Sequence, residues 1–81
     1  MDRQGLENQI LEIAKDIFRY DGELTLKSSS SEIKSWDSMN QMQFLATLGK
    51  TFSVKFKIKE IIKFGTIGDI VTCVAGQLNI E

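Results

Sequence analysis

Asp37-Ser38 is the point in this chain where residue types and spacing could do chemistry. The acid and the hydroxyl stand together after a long loop and at the mouth of a segment with helical periodicity. Both residue types favour helix starts, and an acid there also suits the positive end of the helix dipole. A hydroxyl in that place is exposed and points away from the core. Its plain alternative role is that of an ordinary helix cap. Other inventories fail. No histidine is present, which removes the base of Ser-His-Asp and Cys-His arrangements and any His metal site. One cysteine, Cys73, makes neither an internal disulfide nor a zinc cluster. It falls off the main apolar stripe of the last periodic segment and reads as a small half-buried residue. Gly65-Thr66-Ile67-Gly68 is too short for a phosphate-cradling loop and lacks the Gly-Lys-Ser/Thr ending. Asp37 and Glu32 could pair as carboxylates, but nothing points to a cleft between them. An enzyme is not expected.

The elements that position Ser38 follow from periodicity. Leu6, Ile10, Ile13 and Ile17 recur at steps of four, three and four, widened by Leu11, Ala14 and Phe18. They predict an amphipathic helix of about fifteen residues ending near Tyr20, with Asp21-Gly22 as its stop. From Asp21 to Ser35 only Leu24, Leu26 and Ile33 are large and apolar, and Ser28 to Ser31 form a low-complexity run. This reads as a long surface loop pinned by those three side chains, either functional or a flexible connector. Met39, Met42, Leu45, Leu48 and Phe52 mark a second helix, with Phe44 at its flank. Gly49 inside it should cost about 1 kcal/mol against Ala. Val54, Phe56 and Ile58 alternate strictly with Lys55, Lys57 and Lys59. No second strand of that quality exists to pair with them, and an isolated strand is unstable. The expectation is therefore an extended connection that turns the three apolar residues inward, followed by one or two helical turns from Lys59 to Phe64. Thr66-Ile67-Gly68-Asp69 matches a capping box. Ile67, Ile70, Val71, Val74, Ala75 and Leu78 form the last stripe. The fold class expected is all-α: a small four-helix bundle over residues 1–81, with three longer helices, a short third one and a long first loop.

Size and charge narrow the function further. With 81 residues, one domain is expected. Such a chain buries only about 60–70% of its unfolded surface, which is little for an enzyme with its own substrate pocket. Ten basic against eleven acidic residues is not the excess of a nucleic-acid binder. No apolar run approaches the ~18 residues of a membrane span. Met1-Asp2-Arg3-Gln4 lacks the basic-then-apolar layout of a signal peptide, so a cytoplasmic location is expected, and a monomer.

Asp37-Ser38-Met39, followed by an apolar helix ending at Phe52, resembles the Asp-Ser-Leu/Met motif of acyl carrier proteins. Phe52-Ser53-Val54-Lys55-Phe56 is similar to that family's Phe-x-Ile-x-Ile step into the third helix. Thr66-Ile67-Gly68-Asp69 is similar to its Thr-Val-Gly-Asp opening of the fourth. The three anchors lie in register over roughly residues 33–78. The resemblance implies a carrier that performs no chemistry itself. The Ser38 hydroxyl would receive 4′-phosphopantetheine from coenzyme A through a phosphopantetheinyl transferase, with Asp37 assisting the transferase and its magnesium. An acyl or aminoacyl group would then ride as a thioester, loaded by one enzyme and passed to a downstream transferase or synthase. The alternative is a non-covalent helical interaction module in which Ser38 is only a cap.

Two departures from the family bear on partners. Carriers of fatty-acid synthesis bear many acids on the second helix. Here the corresponding face reads Asn40, Gln41, Gln43, Thr47, Gly49 and Lys50, and lysines 55, 57, 59 and 63 follow. Residues 1–40 carry five basic and eight acidic side chains, and residues 41–81 carry five and three. Lys55 and Lys59 are therefore candidate partner contacts, a solvated face being the alternative. Trp36 resembles the residue before Asp-Ser in free-standing carriers of specialised pathways. It is either a partner contact or a cover for the core. Met39 and Met42 are candidate contacts for the arm or for partners, since exposed Met adapts to varied surfaces; Met42 lies equally on the core stripe.

Overall fold

In a computed structural model, described here for residues 2–80, four helices follow in order: α1 (Arg3–Phe18), α2 (Ser38–Phe52), α3 (Ile58–Ile61) and α4 (Ile67–Leu78). Met1 and Glu81, the ends of the expected 1–81 unit and part of the expected non-signal N-terminus, lie outside the described residues. The helical class is as expected. The described residues contain no strand, only one isolated bridge between Ser29 and Thr66.

Three amphipathic stripes build the core. Leu6, Ile10, Ala14 and Phe18 line α1. Phe44, Leu45, Leu48 and Phe52 line α2. Ile67, Ile70, Val71, Val74 and Ala75 line α4. α1 packs against both α2 and α4, so its buried edge is the spine of the bundle. Phe18 is the aromatic centre: Trp36 stacks on it at 5.0 Å, and Phe44 meets it edge-on at 5.3 Å. Such pairs add about 0.5–1.5 kcal/mol beyond burial.

Several local expectations are corrected. α1 stops at Arg19 in the left-handed region (φ 50), whose N–H bonds Lys15 O. The Asp21-Gly22 turn comes after that stop and does not make it. The serine run is no flexible connector. Ser28 is buried, and its Oγ accepts the N–H of Thr25 at 3.0 Å. Ile67 N–H donates to Ser28 O at 3.1 Å, and Gly68 N–H donates to Leu26 O at 2.8 Å. Gly68 is required by that approach, because a Cβ there would lie 2.9 Å from Leu26 O. Ile33 is fully buried and pins the loop as expected. Gly49 serves a similar purpose: a Cβ there would lie 3.1 Å from Val54 O, where the chain turns out of α2. Beyond the turn, Val54 is buried and Phe56 half-buried, but Ile58 is 80% exposed rather than inward. α3 begins at Ile58, so the two-residue alternation ends there and the helical rotation carries that side chain outward.

Candidate functional site

Asp37, not Ser38, caps α2. Its backbone is extended and its Oδ1 accepts the N–H of Asn40 at 2.8 Å. Gln41 N–H donates to Asp37 O at 2.9 Å. Ser38 is the first helical residue and is exposed. The reading of Ser38 as merely a cap is therefore corrected: Asp37 does that work and leaves the serine hydroxyl uncommitted. The N–H groups of Ser38 and Met39 precede the first intrahelical bond and have no partner within the helix.

The first turn of α2 is held from behind. Ser35 Oγ donates to Phe18 O, the last carbonyl of α1. Asn40 Nδ2 donates to Ser35 O at 2.7 Å. Trp36 N–H donates to Ile33 O, and its indole Nε1 donates to Gln41 Oε1 at 2.8 Å. These bonds tie the loop's end, the end of α1 and the start of α2 into one rigid corner that aims Ser38 outward. Trp36 is 5% exposed. It covers the core at the loop's end, the alternative to a partner contact: its ring area is spent on Phe18 and its one donor on Gln41. Only an edge of it reaches the surface groove beside Ser38.

That groove, of about 460 Å³, is lined by Ser30, Trp36, Asp37, Ser38, Gln41, Met42 and Ile61. A neighbouring hollow of about 370 Å³ shares Met42 and Ile61 and adds Lys55 and Phe56 to its wall. The structure thus brings Ser38, Asp37 and Met42 to one groove and Lys55 to the adjoining one. Met39 is exposed on the same turn, outside both linings, and Lys59 is exposed on α3. The core alternative for Met42 does not hold, since it is 57% exposed.

α3 is fastened by polar clips that the sequence pattern did not reveal. Glu60 accepts the N–H of Lys57 at 3.0 Å and the Cys73 thiol at 3.4 Å. The Lys57 N–H bond, then the Cys73 thiol, lower the Glu60 carboxyl below its usual range. Burial, then the Glu60 carboxylate, raise the Cys73 thiol. Gln77 pairs with the backbone of Lys55 through both halves of its amide. A glutamine one turn after the cysteine was the available signal, but its backbone partner is distant in sequence. No cluster of potential metal ligands occurs among the described residues, and no described helix is long and apolar enough to cross a membrane.

A family model described as the phosphopantetheine attachment site matches residues 8–74. The chain belongs to that family. A holo acyl carrier protein from Geobacter metallireducens is similar in structure, with 27% identity, a TM-score of 0.81, and coverage of 89% of this chain and 84% of that one. A Mycobacterium tuberculosis protein assigned as an acyl carrier protein shares the fold at 24% identity and a TM-score of 0.81, over 89% of this chain and 97% of that one. Comparison with curated proteins gives no match. The molecule is thus an acyl-carrier-type domain that takes 4′-phosphopantetheine covalently, a carrier and not an enzyme. Its four helices are the carrier fold, and the rigid corner that presents Ser38 falls inside the matched span.

Proposed function

We propose that Ser38 is the residue to which the arm is attached, and that the carrier holds an acyl or aminoacyl group there for enzymes of a specialised biosynthetic pathway. The observation that supports this is the division of labour at the start of α2: Asp37 caps, and Ser38 stays exposed and unbonded. The residues fit the group. The free N–H groups of Ser38 and Met39 and the helix dipole favour a phosphodiester at this point. The groove offers Ser30 and Gln41 to polar parts of an arm and Met42 and Ile61 to apolar parts. When bound, the arm supplies a terminal thiol on which cargo is held as a thioester.

The chain's own part is binding and orientation. A phosphopantetheinyl transferase removes the proton from Ser38 Oγ as that oxygen forms the phosphoester bond and the nucleotide half of coenzyme A leaves. Asp37 assists. One oxygen of its carboxylate fixes the helix start, and the other makes no hydrogen bond among the described residues. Tethering then raises the effective concentration of cargo at enzymes that dock nearby. The specialised role is supported by the absence of acids on the exposed face of α2. One cytoplasmic, monomeric unit over residues 1–81 completes the reading.

The test is intact mass after incubation with coenzyme A, magnesium and a promiscuous transferase. The chain is expected to gain one arm, and Ser38→Ala to gain none. An unmodified chain beside a competent control carrier would overturn the reading.

A further inference from the structure

We propose that the face made by the start of α2 and by α3 docks partner enzymes whose own surface is an apolar hollow rimmed with carboxylates. This deepens the carrier reading and rests on it, because the partners meant are those that must reach Ser38. Among the described residues the exposed large apolar side chains are Met39 at 80%, Met42 at 57%, Ile58 at 80% and Ile62 at 77%. Met39 and Met42 lie on α2, Ile58 opens α3 and Ile62 caps its end, and none of the four lies on α1 or α4. Ile58 and Ile62 are four residues apart, as are Lys59 and Lys63, so each pair stands on one side of the α3 segment.

The charges on this stretch are mostly positive, the exceptions being Asp37 on the wall of the Ser38 groove and Glu60 on α3. Residues 38–65 hold five lysines and one acid, Glu60, while the rest of the chain holds five basic and ten acidic residues. Glu60 is committed to Lys57 N–H and Cys73. The one ion pair among the described residues joins Arg3 to Glu7 on α1. The lysines at 55, 57, 59 and 63 are exposed, and no carboxylate of the described residues is in ion-pair contact with them. Met42 and Ile61 line both the Ser38 groove and the hollow beside Lys55, so a body that covers Ser38 also reaches Lys55. An apolar centre with a positive rim is complemented by an apolar hollow with a negative one.

An anionic lipid surface would answer the same charges, but the apolar side does not suit it. α3 has four residues, and Phe56 and Phe64 pack on each other at 5.9 Å instead of facing outward. Surface-seeking helices are longer and present Trp, Phe or Leu to the bilayer.

The test is amide NMR of the ¹⁵N-labelled chain during titration with an amphipathic helical peptide, leucine on one face and glutamate at its flanks. A matched peptide with lysine for glutamate serves as control, along with phosphatidylglycerol vesicles. The glutamate peptide is expected to shift resonances of the start of α2 and of α3. Its affinity is expected to fall roughly tenfold in Lys55→Glu/Lys59→Glu, where attraction becomes repulsion, and to fall with added salt. Ile58→Ser/Ile62→Ser should weaken it while leaving the far-ultraviolet spectrum unchanged. Equal binding of both peptides, shifts centred on α1, or a response to vesicles without one to the glutamate peptide would each overturn the proposal. Ser38→Ala is expected to bind the peptide normally, so loss of docking and loss of arm attachment are read separately.

Discussion

The two long connections of this bundle invert what their compositions announce. Residues 19–37 are polar and serine-rich, yet they are woven into the fold. Ser28, Ile33 and Trp36 are buried, and the loop's carbonyls receive the first N–H groups of α4. Residues 53–66 begin with a strand-like alternation of apolar and charged side chains from Val54 to Lys59, yet leave Ile58 and Ile62 in solvent. The polar connection is structural, while the apolar one buries Val54 and offers Ile58 and Ile62 outward. Burial is decided by what the backbone can reach, and apolar side chains left out of the core are available to other molecules.

That contrast can be broken or sharpened by mutation. The largest effect is expected in the serine-rich connection: Trp36→Ala should cost about 3–5 kcal/mol in urea unfolding, through lost area and a cavity against Phe18. Gly68→Ala should follow at about 1–3 kcal/mol, because the added methyl meets the Leu26 carbonyl and that backbone cannot easily retreat. In the other connection, Ile58→Ala and Ile62→Ala should each change stability by less than about 0.5 kcal/mol. A cost comparable to Trp36→Ala at either isoleucine would erase the distinction.

The smallest effect is the one at Cys73. Its thiol is raised by burial and by the Glu60 carboxylate beside it, so the neutral form is the one the fold favours. That contribution is complete below the unfolded thiol pKa and is lost as pH rises through the higher folded value. Alkylation by iodoacetamide at mildly alkaline pH should therefore be slower in the folded chain than in urea, and Glu60→Gln should speed it. Glu60 runs the other way. Its lowered carboxyl contributes above the unfolded Glu pKa and ceases to as pH falls through the folded one.

Periodicity made the three long helices legible, because each buries one stripe against its neighbours. The Thr66–Asp69 capping box was equally plain, since it is entirely local. What stayed hidden depends on contacts distant in sequence. Ser28 looks like linker until Ile67 is seen to bond its carbonyl. Arg19 gives no hint of a left-handed stop, because its residue type does not favour one. The strand period points Ile58 inward, but that period ends where α3 begins. At the site, Asp37 and Ser38 stood out in the sequence, but which one caps was settled only by the bond from Asn40. For Trp36 the sequence leaves partner contact and core cover open, because neither its stacking on Phe18 nor its bond to Gln41 has a local trace.

The central claim is that the arm is carried by Ser38 and by no other hydroxyl. Trypsin cleavage after Lys27, Lys34 and Lys50 separates Ser28 to Ser31 from a peptide that holds Ser35, Ser38 and Thr47. Fragmentation mass spectrometry of the transferase-treated chain reads the position directly. The arm is expected on Ser38 alone; an arm on Ser35, on Thr47 or in the serine run would contradict the account.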